Sequence, residues 1–281
     1  MILRFSPRRA ALLAAAFVFA VSAAPPPPPA ALPPTYADLA DLADAADLVV
    51  HVAVAKAMPL PPDRATNVAP GHARLYVEGK TRALIAGRAP LGQAVRYLVD
   101  VPVDAKGKVP KLKKREFLLF ANPVPGAPAD LRLVGPTAQF AYDAALAARL
   151  RPILAELAAA DAAPVVTGVR DALAVPGTLA GESETQVFLA TTGGEPVSLT
   201  VVRRPGMAPA WGVSYSEIVD QAARPPAPDT LAWYRLACFL PAQLPGGVNL
   251  AQDSASRARA AEDYAFVMRE LGPCQRTLRA Q

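Results

Sequence analysis

Residues 94–103 read AVRYLVDVPV, and this stretch decides the class of fold. Apolar side chains occupy every second position, at Val95, Tyr97, Val99 and Val101. A period of two is typical of a β-strand with one buried face. The segment therefore predicts a strand whose alternate side chains fill a core.

Four neighbouring segments extend this pattern into a sheet. They are short apolar or β-branched runs separated by proline and glycine, at 48–55, 74–85, 117–120 and 131–134. Five short strands at this spacing favour a small barrel or sandwich. We predict an α+β protein whose N-terminal domain, 35–136, is a small antiparallel β-barrel.

A second domain is predicted at 165–281. Three strands are expected at 185–191, 197–203 and 211–215, with turns at Gly193-Gly194 and Pro205-Gly206. A helix capped by Asp229 and running to Phe239, and another over 254–271, follow them. The prediction is an antiparallel three-stranded sheet packed with two helices.

Two helices flank the predicted barrel. The first, over 36–47, carries an aspartate at every third position, which we interpret as a broad solvated face because the stretch lacks the glycine turns of a calcium loop. The second, over 143–159, contains Pro152 and is expected to be kinked. It belongs to a helix-and-linker segment at 137–164.

The N-terminus predicts export. Residues 1–24 combine a positive start, an unbroken apolar run and small residues at the cleavage position, which is typical of a signal peptide. A proline-rich spacer follows at 25–34. Removing the leader changes the net charge from +5 to about +2. Net charge therefore indicates no nucleic-acid partner.

The chain contains two cysteines, Cys238 and Cys274. An even count in an exported chain predicts one disulfide, and their spacing does not fit a zinc or redox motif. The bond would fix the last helix onto the preceding one.

Few residues suit catalysis. His51 and His72 have no metal-ligand spacing, and we interpret His51 as a strand residue on the barrel surface. Ser214 lies in GVSYS, which departs from the nucleophile elbow at its last position. Glu182 and Glu184 share a strand face, so a glycosidase would need a further acid such as Asp220 or Asp229.

One basic cluster precedes the predicted strand at 117–120. Its members are Lys106, Lys108, Lys111, Lys113, Lys114 and Arg115. Such a cluster is either a solvated hairpin that protects a β-prone strand from aggregation or a site for an anionic lipid or polymer. Asp104 and Glu116 dilute its charge at the two ends.

Two resemblances add to this interpretation. A helix followed by a strand that opens on Ala46-Asp-Leu-Val-Val50 resembles the OB-like barrels of netrin/TIMP-like modules, although the cysteines typical of those modules are missing. Three phrases, at 36–42, 111–114 and 231–241, resemble uncharacterised exported alphaproteobacterial proteins of the sphingomonad type. Neither resemblance implies an activity.

The leading functional hypothesis is an exported, non-catalytic binding or accessory protein of the cell envelope, with no cofactor, no metal and no nucleic-acid partner. One alternative is a periplasmic hydrolase that uses carboxylates or Ser214. Another is a protein that binds anionic lipid or polymer through the basic cluster.

Overall fold

The computed structural model describes residues 33–87, 89–216 and 223–278. The predicted signal peptide and all but the last two residues of the spacer lie outside these ranges, as does Asp220. The described residues form an α+β fold with a closed barrel and a separate four-stranded sheet.

The barrel is built from five strands. They are β1 (Leu48–Pro59), β2 (His72–Gly87), β3 (Ala94–Pro102), β4 (Glu116–Val124) and β5 (Ala127–Leu133). Their order is β1-β2-β3-β5-β4, and β4 pairs back onto β1 to close the sheet. A short strand, β6 (Gln139–Ala141), pairs with β4 and was not predicted from sequence.

The barrel is not wholly antiparallel, as the sequence pattern had suggested. β3 and β5 run parallel, with Arg96 opposite Asp130 and Tyr97 opposite Leu131. The alternation within 94–103 is confirmed, because Val95, Tyr97 and Val99 are buried.

The second sheet has four strands, where three were predicted. They are β7 (Val166–Pro176), β8 (Ser183–Thr191), β9 (Ser198–Arg203) and β10 (Ala210–Ser214), in the order β10-β9-β8-β7. The sequence pattern of β7 is broken by two register shifts, one beside Gly168 and one beside Asp171. Each shift inverts the alternation of side chains, so no single period of two covers the strand.

Four α-helices complete the fold. They are α1 (Tyr36–Ala45), α2 (Ala144–Ala158), α3 (Leu231–Ala237) and α4 (Ser254–Leu271). Helix α4 packs against β7 and β8, and α3 packs against the other three helices. Pro152 lies inside α2 as expected.

Two details of these helices correct the sequence prediction. Helix α3 is capped by Thr230 and not by Asp229, whose φ of +56° is incompatible with the extended backbone of an N-cap residue. On α4, the spacing of apolar residues predicts that Ala261 lies on the inner face, but Ala261 is exposed, whereas Asp263 is buried.

Asp263 is held by polar partners from the second sheet. Its carboxylate accepts hydrogen bonds from Arg203 Nε at 2.6 Å and from Thr185 Oγ1 at 2.5 Å. The buried charge is therefore paired, and the ion pair fixes α4 against β8 and β9.

The predicted disulfide between Cys238 and Cys274 is confirmed, with Cα atoms 5.1 Å apart. Cys238 is the C-cap residue of α3, and Cys274 lies three residues beyond the end of α4. The bond therefore ties the segment after α4 to the end of α3.

The aspartates of α1 do not form the solvated face that their spacing suggested. The Asp38 carboxylate is buried and accepts hydrogen bonds from Thr35, Thr277 and Leu278. Burial alone would raise the pKa of Asp38, but these hydrogen bonds outweigh it and lower the pKa below its ordinary value. Asp44 forms a bidentate pair with the buried Arg235, at 2.7 and 2.8 Å.

Candidate functional site

The basic cluster lies in the loop that joins β3 to β4, hereafter the basic loop (residues 103–115). β3 and β4 are not neighbours in the barrel, so this loop is not the hairpin that we expected. It begins beside Gly71, whose carbonyl accepts from Val103 N, and it ends beside Val54, whose carbonyl accepts from Lys114 N. The loop therefore runs from the start of β2 to Val54 in the middle of β1.

All six cationic residues of the basic loop are exposed. They are Lys106, Lys108, Lys111, Lys113, Lys114 and Arg115. Among the residues that the structure describes, none of the six has a carboxylate within ion-pair distance. Arg115 lies over the ring of Phe117, with its guanidinium carbon 5.3 Å from the ring centre.

The two acidic residues at the ends of the loop are already engaged. Asp104 accepts from the backbone N–H groups of Lys106 and Lys108, at 2.9 and 2.8 Å. Glu116 accepts from His51 Nε2 at 2.9 Å and from Arg82 Nε at 3.2 Å. Because these carboxylates bind other donors, the cationic side chains keep their charge available to solvent.

The basic loop is fastened to the barrel by its backbone and by one side chain. Leu112 is buried in the hydrophobic core between exposed lysines. Lys114 adopts a φ of +69°, which is unusual for a residue with a side chain, and Arg115 N donates to the Leu112 carbonyl. The loop therefore presents its charges from a defined backbone.

His51 lies on the outer surface of the barrel, as expected from sequence. Its ring stacks on Tyr142, with centroids 3.8 Å apart and planes inclined by 9°. Its Nε2 atom is bonded to Glu116, which also binds Arg82. No serine or cysteine is among these partners. The group therefore contains a carboxylate and an imidazole but no serine or cysteine nucleophile. His72 lies elsewhere, with Nδ1 bonded to the Pro70 carbonyl.

The other catalytic candidates lie on the second sheet. Glu182 accepts from the backbone N–H groups of Thr178 and Leu179 and so stabilises the β7–β8 turn. Glu184 is exposed and accepts from Gln186. Ser214 is buried at the end of β10, whereas Glu184 lies on β8 and Glu182 immediately precedes β8. Ser214 and His51 lie in different sheets, and Glu182 has a structural role.

Sequence reasoning missed two groups of polar residues. One joins α1 to the C-terminal residues through Tyr234, Arg235 and Arg276. The period-three aspartates were the signal for this group, since Asp38, Asp41 and Asp44 each face a basic or hydroxyl partner in the fold. The other group, around Trp211, has no signal in the local sequence because its members come from five separate segments.

Comparisons with protein-family models and with curated proteins found no match. No helix within the described ranges has the length and apolar character needed to cross a membrane. Across the same ranges, no three His, Cys, Asp or Glu side chains form a group suited to a metal ion.

Proposed function

We propose that this chain is an exported, non-catalytic binding protein of the cell envelope that contacts an anionic membrane surface through the basic loop. The observation that carries the proposal is the set of six exposed cations without ion-pair partners among the described residues. An anionic lipid surface attracts each lysine or arginine near it by about 1 kcal/mol. Several such residues on one loop give useful affinity even when salt screens part of the attraction.

The attachment of the loop supports this proposal. A flexible loop would lose conformational freedom on binding, and that loss offsets part of the electrostatic attraction. Here Leu112 is buried, and Val54 and Gly71 hold the two ends of the loop. The cost of ordering the backbone on binding is therefore small.

The strand order of the barrel supports an OB-like assignment. The order β1-β2-β3-β5-β4, with closure of β4 on β1 and a parallel β3–β5 pair, is that of a five-stranded Greek-key barrel. We include the likeness to netrin/TIMP-like modules in the proposal, because α1 precedes β1 as in the predicted pattern. Barrels of this class bind ligands through the face of strands 2 and 3 and through the β1–β2 and β4–β5 loops. The basic loop joins β3 to β4, and it lies beside the β1–β2 connection, because Val103 N donates to the Gly71 carbonyl.

Export is part of the proposal and rests on two observations. The leader sequence has the organisation of a signal peptide. The Cys238–Cys274 disulfide favours an oxidising compartment, where such bonds persist.

Vesicle co-sedimentation tests the proposed function. The protein lacking residues 1–24 is mixed with zwitterionic vesicles and with vesicles containing anionic phospholipid. A triple charge reversal, Lys111→Glu with Lys113→Glu and Lys114→Glu, removes half of the loop's cations. The matched control reverses three exposed cations elsewhere, at Lys80, Arg132 and Arg151, and changes the net charge equally.

We expect binding to anionic vesicles only, a loss of at least tenfold in the loop variant, and a much smaller loss in the control. Equal losses in both variants would assign the attraction to net charge and overturn the site. Absence of wild-type binding would overturn the function, and selective binding of soluble polyphosphate would replace the membrane with an acidic polymer. Hydrolase activity that is lost on Ser214→Ala or Glu184→Gln would contradict the non-catalytic assignment.

A further inference from the structure

A cavity of about 1220 Å³ lies at one end of the second sheet, away from the basic loop in sequence. Its lining comes from the β7–β8 turn around Glu182, the β9–β10 loop from Arg204 to Pro209, residues 223–225, and the last turns of α4 at Phe266 and Glu270. The strands between them contribute Trp211 and Ser183 to the lining. The volume lies above the range of about 300–1,000 Å³ that is usual for small-molecule sites, which leaves room for a short peptide.

Two polar groups in this lining are buried without a hydrogen-bond partner. Among the described residues, neither the indole Nε1 of Trp211 nor the hydroxyl of Ser183 has one, although their residues are only 7% and 8% exposed. Burying a donor without a partner costs about 1–3 kcal/mol. A ligand that brings acceptor groups to these atoms would recover part of that cost.

Opposite charges also line the cavity without partners. Within the described ranges, neither Arg204 nor Glu270 forms an ion pair, and both are exposed. Glu184 is held only by the Gln186 side chain. A ligand with one anionic and one cationic end therefore meets a complementary charge of each sign.

The remaining lining is apolar and partly open to solvent. Val175 is 52% exposed and Met207 is 64% exposed, and Leu173, Phe188 and Phe266 lie beside them. Exposed aliphatic side chains that cluster at one place indicate an interaction surface more strongly than scattered ones do.

We propose that this cavity binds a short apolar peptide with free ends. The terminal carboxylate pairs with Arg204, the terminal ammonium pairs with Glu270, and apolar side chains cover Val175 and Met207. The Trp211 indole and the Ser183 hydroxyl have almost no accessible area in the free protein, so they donate to backbone carbonyls of the peptide after side-chain rotations that open them to the cavity. Among amphipathic molecules, a peptide is favoured because it supplies opposite charges, apolar groups and several acceptors together.

Isothermal titration calorimetry with trileucine tests this site. The comparison peptides are N-acetyl-trileucine, which lacks the ammonium, and trileucine amide, which lacks the carboxylate. The protein variants are Arg204→Gln and Glu270→Gln, both at exposed positions where folding is not at risk. Matched controls are Arg132→Gln and Glu195→Gln, which alter exposed charges outside the cavity.

We expect saturable binding of trileucine, and about tenfold weaker binding after Arg204→Gln. Arg204→Gln and wild type should bind trileucine amide equally, because this peptide lacks the carboxylate that would pair with Arg204. Glu270→Gln should behave in the same way toward N-acetyl-trileucine. Absence of binding, or equal affinity for all three peptides in every variant, would overturn the proposal. Neither result bears on vesicle binding by the basic loop.

Discussion

Tyr234 donates a hydrogen bond of 2.6 Å to the carboxylate of Asp41, although 193 positions separate the two residues. The same carboxylate accepts from Arg276 Nε at 2.5 Å. One side chain of α1 thus joins α3 and the segment after α4. The acidic pattern that looked like a solvated surface is the contact between the two ends of the described chain.

Replacing Tyr234 by phenylalanine should lower the free energy of unfolding by about 1–2 kcal/mol at neutral pH, because Asp41 loses a buried donor. Chemical denaturation measures the loss. Tyr142→Phe is the matched control, since that tyrosine is exposed. If both variants lost the same stability, the bond to Asp41 would not be the cause.

The environment of Tyr234 also predicts that the stability of the fold decreases in alkali. Burial, and then the hydrogen bond to Asp41, raise the pKa of Tyr234 above its ordinary value. Unfolding lets the phenol ionise above about pH 10, so stability should be lost as pH rises past that value. The free energy of unfolding, measured by chemical denaturation from pH 8 to 11, should fall less steeply for Tyr234→Phe than for wild type. Parallel curves would contradict this.

Asp38→Asn should destabilise the protein by about 3 kcal/mol at pH 7, because an amide cannot accept all the hydrogen bonds that the carboxylate receives. The folded-state pKa is lowered, so the carboxylate contributes stability above its unfolded pKa and loses it as pH falls through the folded value. The difference between wild type and variant should therefore shrink below about pH 4. Asp47→Asn, at an exposed position next to the end of α1, should show neither effect.

Removing the disulfide by Cys238→Ala with Cys274→Ala should cost about 3–4 kcal/mol, given a sequence separation of 36 residues. Amide hydrogen exchange should rise first in residues 274–278 and at the start of α1, which those residues contact. Chemically reduced wild-type protein should behave like the variant. Unchanged exchange in α1 would show that the polar contacts alone hold these residues in place.

The two tryptophans provide a matched pair. Trp233 Nε1 donates to the Leu271 carbonyl at 2.8 Å, whereas Trp211 Nε1 has no partner in the part of the chain that the structure describes. Trp→Phe removes similar volume at each site but leaves an unpaired acceptor only at Leu271. We expect Trp233→Phe to cost at least 1 kcal/mol more than Trp211→Phe in thermal or chemical unfolding. The reverse order would indicate that the Trp211 indole has a partner in solution.

The barrel strands were predictable from two local patterns. Residues 94–103 alternate, whereas 48–55 and 117–120 are nearly continuous apolar runs, so the three register shifts between β1 and β2 did not hide β1. Where a strand keeps an uninterrupted period of two, as in 94–103, the sequence identified both the strand and its buried face. The parallel pairing of β3 with β5 is a property of how distant strands meet, and local pattern does not contain it. Strand β7 was not predicted from sequence, because its register shifts mix the side chains of the two sheet faces.

The candidate site was predictable only in part. The basic loop is contiguous, so its composition could be read directly from residues 106–115. The sequence does not show that Asp104 and Glu116 are already engaged. Asp104 accepts from backbone N–H groups of the loop, and Glu116 accepts from His51 and Arg82 on other strands. The roles of Asp38 and Asp263 depend on partners more than 50 positions away, which one sequence does not reveal.

The contacts of the last described residues with the first have a topological consequence. Thr277 Oγ1 donates to the Pro33 carbonyl, and Thr35 Oγ1 donates to the Gln275 carbonyl at 2.7 Å. A circular permutant that joins these neighbours through a short linker, and opens the chain at the exposed Gly193-Gly194 turn, should keep the same fold. An anchor fused to either end would also tether the protein at the same point, and so in the same orientation.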